Sequence, residues 1–406
     1  MFGIGYLIAI FLGISAGIVT GLTPGVHINL VAVLIVSSMP FLAKYADFIG
    51  LSCFIIAMSV THTFLDFIPS VFLGAPEEAT ALGILPGHRY LMKGYGLMAI
   101  KLSVLGCLGA VLLSILLFPL FVPLVSFIYP LLQPFIGYLL ILVVIFMILR
   151  DQKKFWALFV FLLSGVFGII VFQIPNMKDP LFPMLSGLYG VATLLMSLKD
   201  ANHIPEQKQE QVVTVRKPIL IKALLSGQFS GWLTSVFPGL GPSTAAIVSL
   251  QITPKLGDHG FMILAGSIGT VNFILSMVTW YALDKARNGS IIALQKLADF
   301  FHVDEVTIPL VAVLLTATLI SGMISLILAL KIGRIFSRYI VKINYQLLLL
   351  SIVSFIFVLS VALTGWLGLF ILVVSTAIGF ISPIVKVTRT HAMGCLLLPV
   401  ILYFVL

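Results

Sequence analysis

The sequence predicts an all-α integral membrane protein of two inverted-topology repeats, each a broken Pro-Gly helical hairpin followed by about five transmembrane helices. Three observations predict it: a composition almost empty of charge, a motif that recurs after 214 residues, and the sidedness of the cations.

Of 406 residues, 60% are hydrophobic and 9% charged, with a mean hydropathy of +1.20. Soluble domains carry roughly a quarter charged residues. The apolar runs reach the roughly 20 residues that a helix needs to cross about 30 Å of hydrocarbon. Transmembrane strands would alternate over segments of about 10 residues, and no such alternation is present, so the spans are read as helices. The first run has no basic flank before it and no small-residue cleavage site after it, so it is expected to be kept as a span. The formal charge of +9 does not point to nucleic acid, because the cations sit in short loops between apolar runs, where they set membrane orientation. Cys53, Cys107 and Cys395 fall in apolar stretches and read as small buried hydrophobes.

One segment, 197–217, is plainly polar and divides the chain into a first repeat (1–198), a linker (199–217) and a second repeat (218–406). A shift of 214 residues lays Gly13, Gly17, Thr20, Pro24, Gly25 and Pro40 onto Gly227, Gly231, Thr234, Pro238, Gly239 and Pro254. Six matches in one ungapped register are read as an internal duplication. The opening segments, 3–42 and 218–253, are each apolar up to the Pro-Gly pair and apolar again after it. Proline removes a backbone donor and glycine admits positive φ, so the helix breaks there. It continues across the membrane or turns back as a hairpin.

Charge decides between these. Five further spans follow each opening segment, near 47–70, 96–118, 135–150, 155–174 and 178–198, then 260–282, 308–330, 344–365, 366–385 and 391–406. With returning hairpins and a cytoplasmic linker, Lys44, Lys178, Lys285, Arg287 and Lys296 lie outside and the other 18 of 23 Lys and Arg lie inside. A single crossing would place 331–342 opposite the linker, against the positive-inside tendency. Five crossings is an odd number, so the repeats face opposite ways across the cell membrane.

In such folds the substrate lies near the midplane, where broken helices aim unpaired N–H groups at it. Two helix N-termini follow the breaks, each with unsatisfied donors and about half a positive charge. The candidate substrate-binding residues are Thr23, Pro24, Gly25, His27 and Asn29 in the first repeat, and Pro238, Gly239, Gly241, Ser243 and Thr244 in the second. A bland reading competes: the Pro-Gly pairs make tight turns and Asn29, Ser243 and Thr244 cap helices. Duplication inside apolar segments favours the binding role. The small-xxx-small pairs Gly13/Gly17 and Gly227/Gly231 are packing features. His62 and Asp66, one helical turn apart, and Asn272 are candidate coupling residues, because ionisable groups inside spans are costly. Asp66 lies within about six Å of the end of its span at 1.5 Å per residue, so it is expected to reach headgroups and water. No catalytic residue or metal ligand set is found, and no cofactor is expected beyond a coupling Na+ or H+.

These motifs resemble the large membrane subunit of tripartite tricarboxylate transporters (TctA-like), in the shorter stand-alone form seen in archaea. Ser235 to Ala246 is similar to that family's proline-glycine signature, and Thr20 to Leu30 to its first-half counterpart. Phe72 to Gly96 is similar to the region after the first motif. There are departures: Ala79-Thr80-Ala81-Leu82 is followed by Gly83 rather than an acid, and the first motif reads Pro-Gly-Val-His. They count against tricarboxylate specificity and against a need for a small subunit and a binding protein. The resemblance implies cation- or proton-coupled uptake of a small organic anion (a carboxylate) through the bilayer. Whether the chain forms a homo-oligomer is left open.

A polyprenyl-phosphate lipid flippase is the alternative, since a phosphate headgroup suits the same helix termini. An intramembrane enzyme would need paired acids or metal ligands. No H-E-x-x-H, adjacent aspartates or G-x-G-D occurs in the sequence. A channel would need a ring of charge or a filter repeat, and neither is visible.

Overall fold

The structure, a computed structural model, describes residues 3–23, 35–36, 38–73, 84–175, 177, 180–198, 204–209, 212–236, 245–246, 249, 253, 256–342 and 344–406. Among the described residues there is no strand. Seven helical runs are long and apolar enough to cross a membrane: Ile4–Leu22, Phe48–Leu73, Gly96–Arg150, Lys154–Phe172, Gly257–Leu283, Ile308–Lys342 and Leu349–Val385. Large apolar side chains such as Leu116, Phe127, Phe155 and Trp366 stand exposed along them. A chain of this kind is a multi-pass membrane protein.

In the first half, α1 is Ile4–Leu22 and α2 is Phe48–Leu73, with an irregular turn at Asp66. Then come α3 (Ile84–Met92), α4 (Gly96–Leu132), α5 (Ile136–Arg150) and α6 (Lys154–Phe172). α7 joins Leu181–Leu185, a π-helical turn Ser186–Val191 and Ala192–Ser197. The second half holds α8 (Lys217–Val236), α9 (Gly257–Leu283), α10 (Gly289–Phe300), α11 (Ile308–Tyr339), α12 (Tyr345–Val385) and α13 (Gly394–Val405).

Two pairs of expected spans are fused. The spans near 96–118 and 135–150 form one run, joined at the 3-10 turn Gln133–Phe135 that contains Pro134. Those near 344–365 and 366–385 form α12, kinked at Gly365 (φ 70°, ψ −165°), a backbone conformation open essentially to glycine alone. The stretch after α9, read from sequence only as a loop, folds into α10.

Packing direction bears on the hairpin reading. A Cβ on Gly13 would lie 2.9 Å from the Ala57 side chain, and one on Gly17 would lie 2.6 Å from Thr61 Cβ, so α1 and α2 are close, parallel neighbours. α8 and α9 repeat this, with Gly227 at 2.7 Å from Ser267 Cβ and Gly231 against Val271. Small residues let helices approach closely without a hydrophobic driving force. Parallel neighbours joined by a short connection require the chain between them to return to its starting end. The Tyr6 hydroxyl donates to Asp47 (2.9 Å), which joins the start of α1 to the start of α2. Ser226 meets Thr253 (2.7 Å) and Ser230 meets Ser249 (2.6 Å), so the returning segment runs antiparallel to α8. These directions are the ones a returning hairpin would give, and the Pro-Gly tips themselves lie outside the described residues.

α2 and α9 are sheathed by the other helices. The Cys107 thiol of α4 donates to the Thr63 carbonyl of α2 (3.3 Å) and the Gly266 carbonyl of α9 (3.0 Å). Gly96 at Phe72 and Cys107 at Thr63 make α4 antiparallel to α2. Cys107 at Gly266 and Phe118 at Tyr281 make it parallel to α9. α11 follows α2, through Ser325 to Thr61 (2.9 Å) and Phe336 near Phe72. A second group packs α12 and α13 from one half against α5, α6 and α7 from the other. Cys53, Cys107 and Cys395 are all buried and none forms a disulfide.

The two groups of connections at one end of that second bundle are tied by Asp151. Its carboxylate accepts from the Lys153 amide (3.0 Å), the Thr388 amide (3.0 Å) and hydroxyl (3.2 Å), and contacts His391 Nε2 (3.0 Å). Burial pushes its pKa up, but the Thr388 and Lys153 amides and His391 outweigh that, and the net shift is downward. A depressed carboxylate stabilises the fold above its unfolded pKa, and that stabilisation is lost as pH falls through the folded value. Asp151→Asn is therefore expected to melt below the wild type at pH 6, with the gap closing below about pH 4. Thermal melts across that range check it, and a gap that does not narrow as the pH falls contradicts it.

Candidate functional site

The helix that leads into the first Pro-Gly pair ends where the sequence places the break. α1 stops at Leu22, and Thr23 turns extended (φ −95°, ψ 106°) with its hydroxyl donating to the Val19 carbonyl (2.7 Å). That bond uses the Thr23 donor to close the helix. α8 stops at Val236. Pro24, Gly25, His27, Asn29, Pro238, Gly239, Gly241, Ser243 and Thr244 lie outside the described residues.

The packing adds a second register. Ala57 and Thr61 correspond to Ser267 and Val271, a shift of 210 rather than 214, so four residues fewer separate Pro254 from α9 than separate Pro40 from α2. In this register His62 corresponds to Asn272, and Asp66 to Ser276. Thr20 and Thr234, equivalent on α1 and α8, both turn their hydroxyls back onto a glycine carbonyl, Gly17 (3.3 Å) and Gly231 (2.9 Å). Thr20 also meets His62 Nδ1 (3.2 Å). The residues flanking His62 reach outward to other helices. Thr61 accepts from Ser325, and Thr63 meets Thr270 of α9 (3.1 Å). A polar seam therefore runs between the two halves at the level of His62.

Asp66 overturns one expectation. It is only 4% exposed, with its amide donating to the His62 carbonyl (2.9 Å). Counting residues to the end of a span measures distance to headgroups only for a helix in contact with lipid. α2 instead continues through Asp66 into Phe67–Leu73 and is enclosed by α1, α4 and α11. Asn272 is half-buried, its amide nitrogen 3.1 Å from where a Gly231 Cβ would stand.

Sequence reasoning missed the segment between α9 and α10. Buried Ser276 accepts the amides of Arg287 (3.0 Å) and Asn288 (2.8 Å), and Asn288 caps α10 through the Ser290 amide (3.0 Å). Ser290 in turn receives the Ser59 hydroxyl of α2 (2.8 Å). The chain thus folds back into the protein after α9. Only the 210-residue register, hidden behind a length change, could have flagged it.

The linker is not a loose loop where it is described. Gln207 is buried; its carbonyl oxygen accepts from the Gly96 amide (2.9 Å) and its amide donates to Leu91 (3.0 Å). Nearby, burial and the charge of Asp258 push the Tyr90 phenol up to about 12, so it keeps its proton where it meets His259 Nδ1 (2.8 Å). Among the described residues no group of three His, Cys, Asp or Glu could hold a metal ion.

Comparison with known proteins decides the family. The tripartite tricarboxylate transporter TctA family matches residues 7–394. The chain belongs to this family. A relative from Methanocaldococcus jannaschii, described as the uncharacterized protein MJ1079, is 28% identical over 412 residues, covering 98% of each chain. No solved structure matches. Membership in TctA makes the protein a component of a transport system, in keeping with its multi-pass fold.

Proposed function

We propose that this TctA-family chain is a secondary transporter that moves a small carboxylate across the cell membrane, coupled to Na+ or H+. The single observation that carries this reading is the two pairs of parallel helices, α1/α2 and α8/α9, each separated in the sequence by a Pro-Gly segment. The opposite directions of α2 and α9, read through α4, support an inverted repeat with its site between the hairpins. Two domains, 1–198 and 218–406, follow from that reading, with a cytoplasmic linker set by the cation distribution. Anion recognition falls to the helix N-termini after Gly25 and Gly239. Each is worth about 0.3–1 kcal/mol when exposed and up to about 2 kcal/mol when partly buried. Coupling falls to the seam of His62, Asp66 and Asn272, where a buried carboxylate offers a cation its charge and Thr63 and Thr270 offer hydroxyls. The family match weighs against a lipid flippase or an enzyme.

The test is a thermal-shift panel of acetate, succinate, citrate and phosphate on purified protein, followed by uptake into proteoliposomes. Gly239→Val should weaken the stabilising anion by about tenfold or more by blocking approach to the backbone, and Ser243→Ala by a few-fold. No stabilisation by any of the four anions, or equal affinity in both folded variants, removes the site from the hairpins.

A further inference from the structure

No Lys or Arg flanks either Pro-Gly pair in the sequence (23–37 and 233–250), and the structure offers cations elsewhere for a multiply charged substrate. Arg287 Nη2 donates to the buried Tyr129 hydroxyl (2.7 Å), and Lys285 Nζ reaches the same oxygen (3.4 Å) while sitting 4.6 Å from the ring centre. We propose that Lys285 and Arg287 form a capture site for di- and tricarboxylates at the end of the protein away from the linker. This rests on the anion-transport reading above.

The position follows from α9. Its first turn touches Tyr90, beside the linker contacts at Leu91 and Gly96. Twenty-seven residues at 1.5 Å each carry the helix about 40 Å from there to Leu283. The cations stand two and four residues beyond, at the opposite end.

The chemistry is that of an anion site. A guanidinium has five N–H donors and an ammonium three, and a single phenol oxygen takes only one from each. The partner that both cations share among the described residues, the Tyr129 hydroxyl, is neutral and leaves their charge in place. The neighbouring Asp284 carboxylate is engaged by Gln295 (3.1 Å). Ser276 pins the Arg287 backbone, and Tyr129 holds the side chain half-buried, so little ordering remains to be done when an anion arrives. The repeat does not demand a cation here: in the 210-residue register, Glu77 stands where Arg287 stands. A bidentate guanidinium with an adjacent ammonium fits two carboxylates of one molecule, which hairpin N-termini alone could not balance.

The same pair could instead hold a lipid phosphate, and the experiment separates the two sources. Wild type and Lys285→Gln/Arg287→Gln are reconstituted in purely zwitterionic vesicles, with citrate as the probe. The variant should raise KM about tenfold at unchanged maximal rate, and should lose most of the salt dependence of KM between about 20 and 200 mM. Arg287→Lys alone keeps the charge and should raise KM only a few-fold, which covers the case of a misfolded double variant. Equal KM in wild type and variant overturns the proposal. So does a difference that appears only when anionic lipid is added, which assigns the pair to headgroups. Uptake of acetate but not citrate leaves the transport reading standing and removes this one.

Discussion

Asp66→Asn is expected to abolish ion-driven accumulation of substrate, cutting it by about a hundredfold while the folded protein still binds the anion. A carboxylate that is 4% exposed inside a sheath of helices sits where an ionised group is costly unless a cation or donors compensate it. The repeat supplies the contrast. At the corresponding position Ser276, a neutral hydroxyl, accepts two backbone amides and fulfils a structural task. Asparagine is nearly the same shape as aspartate and can also accept an amide, so the substitution removes charge and little else. If the charge holds the coupling ion beside Thr63 and Thr270, binding of the anion survives and its accumulation against a gradient does not. Uptake driven by a sodium or proton gradient, compared with counterflow exchange that needs no gradient, reads the two apart. Gradient-driven uptake at the wild-type level would reduce Asp66 to the role of Ser276.

The break after α1 was legible because proline and glycine act locally. Thr23 ends α1 where Pro24-Gly25 requires it. What was illegible depended on what surrounds a residue. Asp66 looked accessible because its distance from the helix end can be counted, whereas its enclosure by α1, α4 and α11 cannot. The pairing of His62 with Asn272 was hidden by four residues lost after Pro254, which moved the second register from 214 to 210. α10 escaped because twelve amphipathic residues behind a charged loop resemble any surface connection. Gln207 escaped for the related reason that a polar side chain in a polar linker gives no sign of being buried. Span counting found the right apolar segments but could not foresee that α4 and α5 join almost continuously through Pro134, because a proline is tolerated in a first turn.

Gly266→Val should prevent the protein from being recovered as a folded, monodisperse species. Gly266 lies where α9 crosses α4, and a Cβ there would stand 2.8 Å from Ser103 Cα and closer still to the Ser103 carbonyl. The crossing is reciprocal, since a Cβ on Gly106 would press on the Ile263 carbonyl and stand 3.1 Å from the Ser267 amide. The obstructing atoms are backbone, which cannot swing aside like the end of a flexible side chain. Relief requires α4 and α9 to separate. That would stretch the Cys107 bonds that link both to α2 and open the polar seam beside His62. Overpacking a core typically costs about 1–3 kcal/mol, occasionally more, and a β-branched side chain against two backbones belongs at the upper end. In lipid no hydrophobic gain offsets it, because close van der Waals contact is itself what holds such helices together. Gly266→Ala should fold with a melting temperature lowered by several degrees. Gly5→Ala, with nothing within 4 Å of its added Cβ, should match the wild type. Size-exclusion profiles and thermal melts of the three variants test the crossing. A Gly266→Val protein that elutes and melts like Gly5→Ala would mean that α4 and α9 do not meet as described.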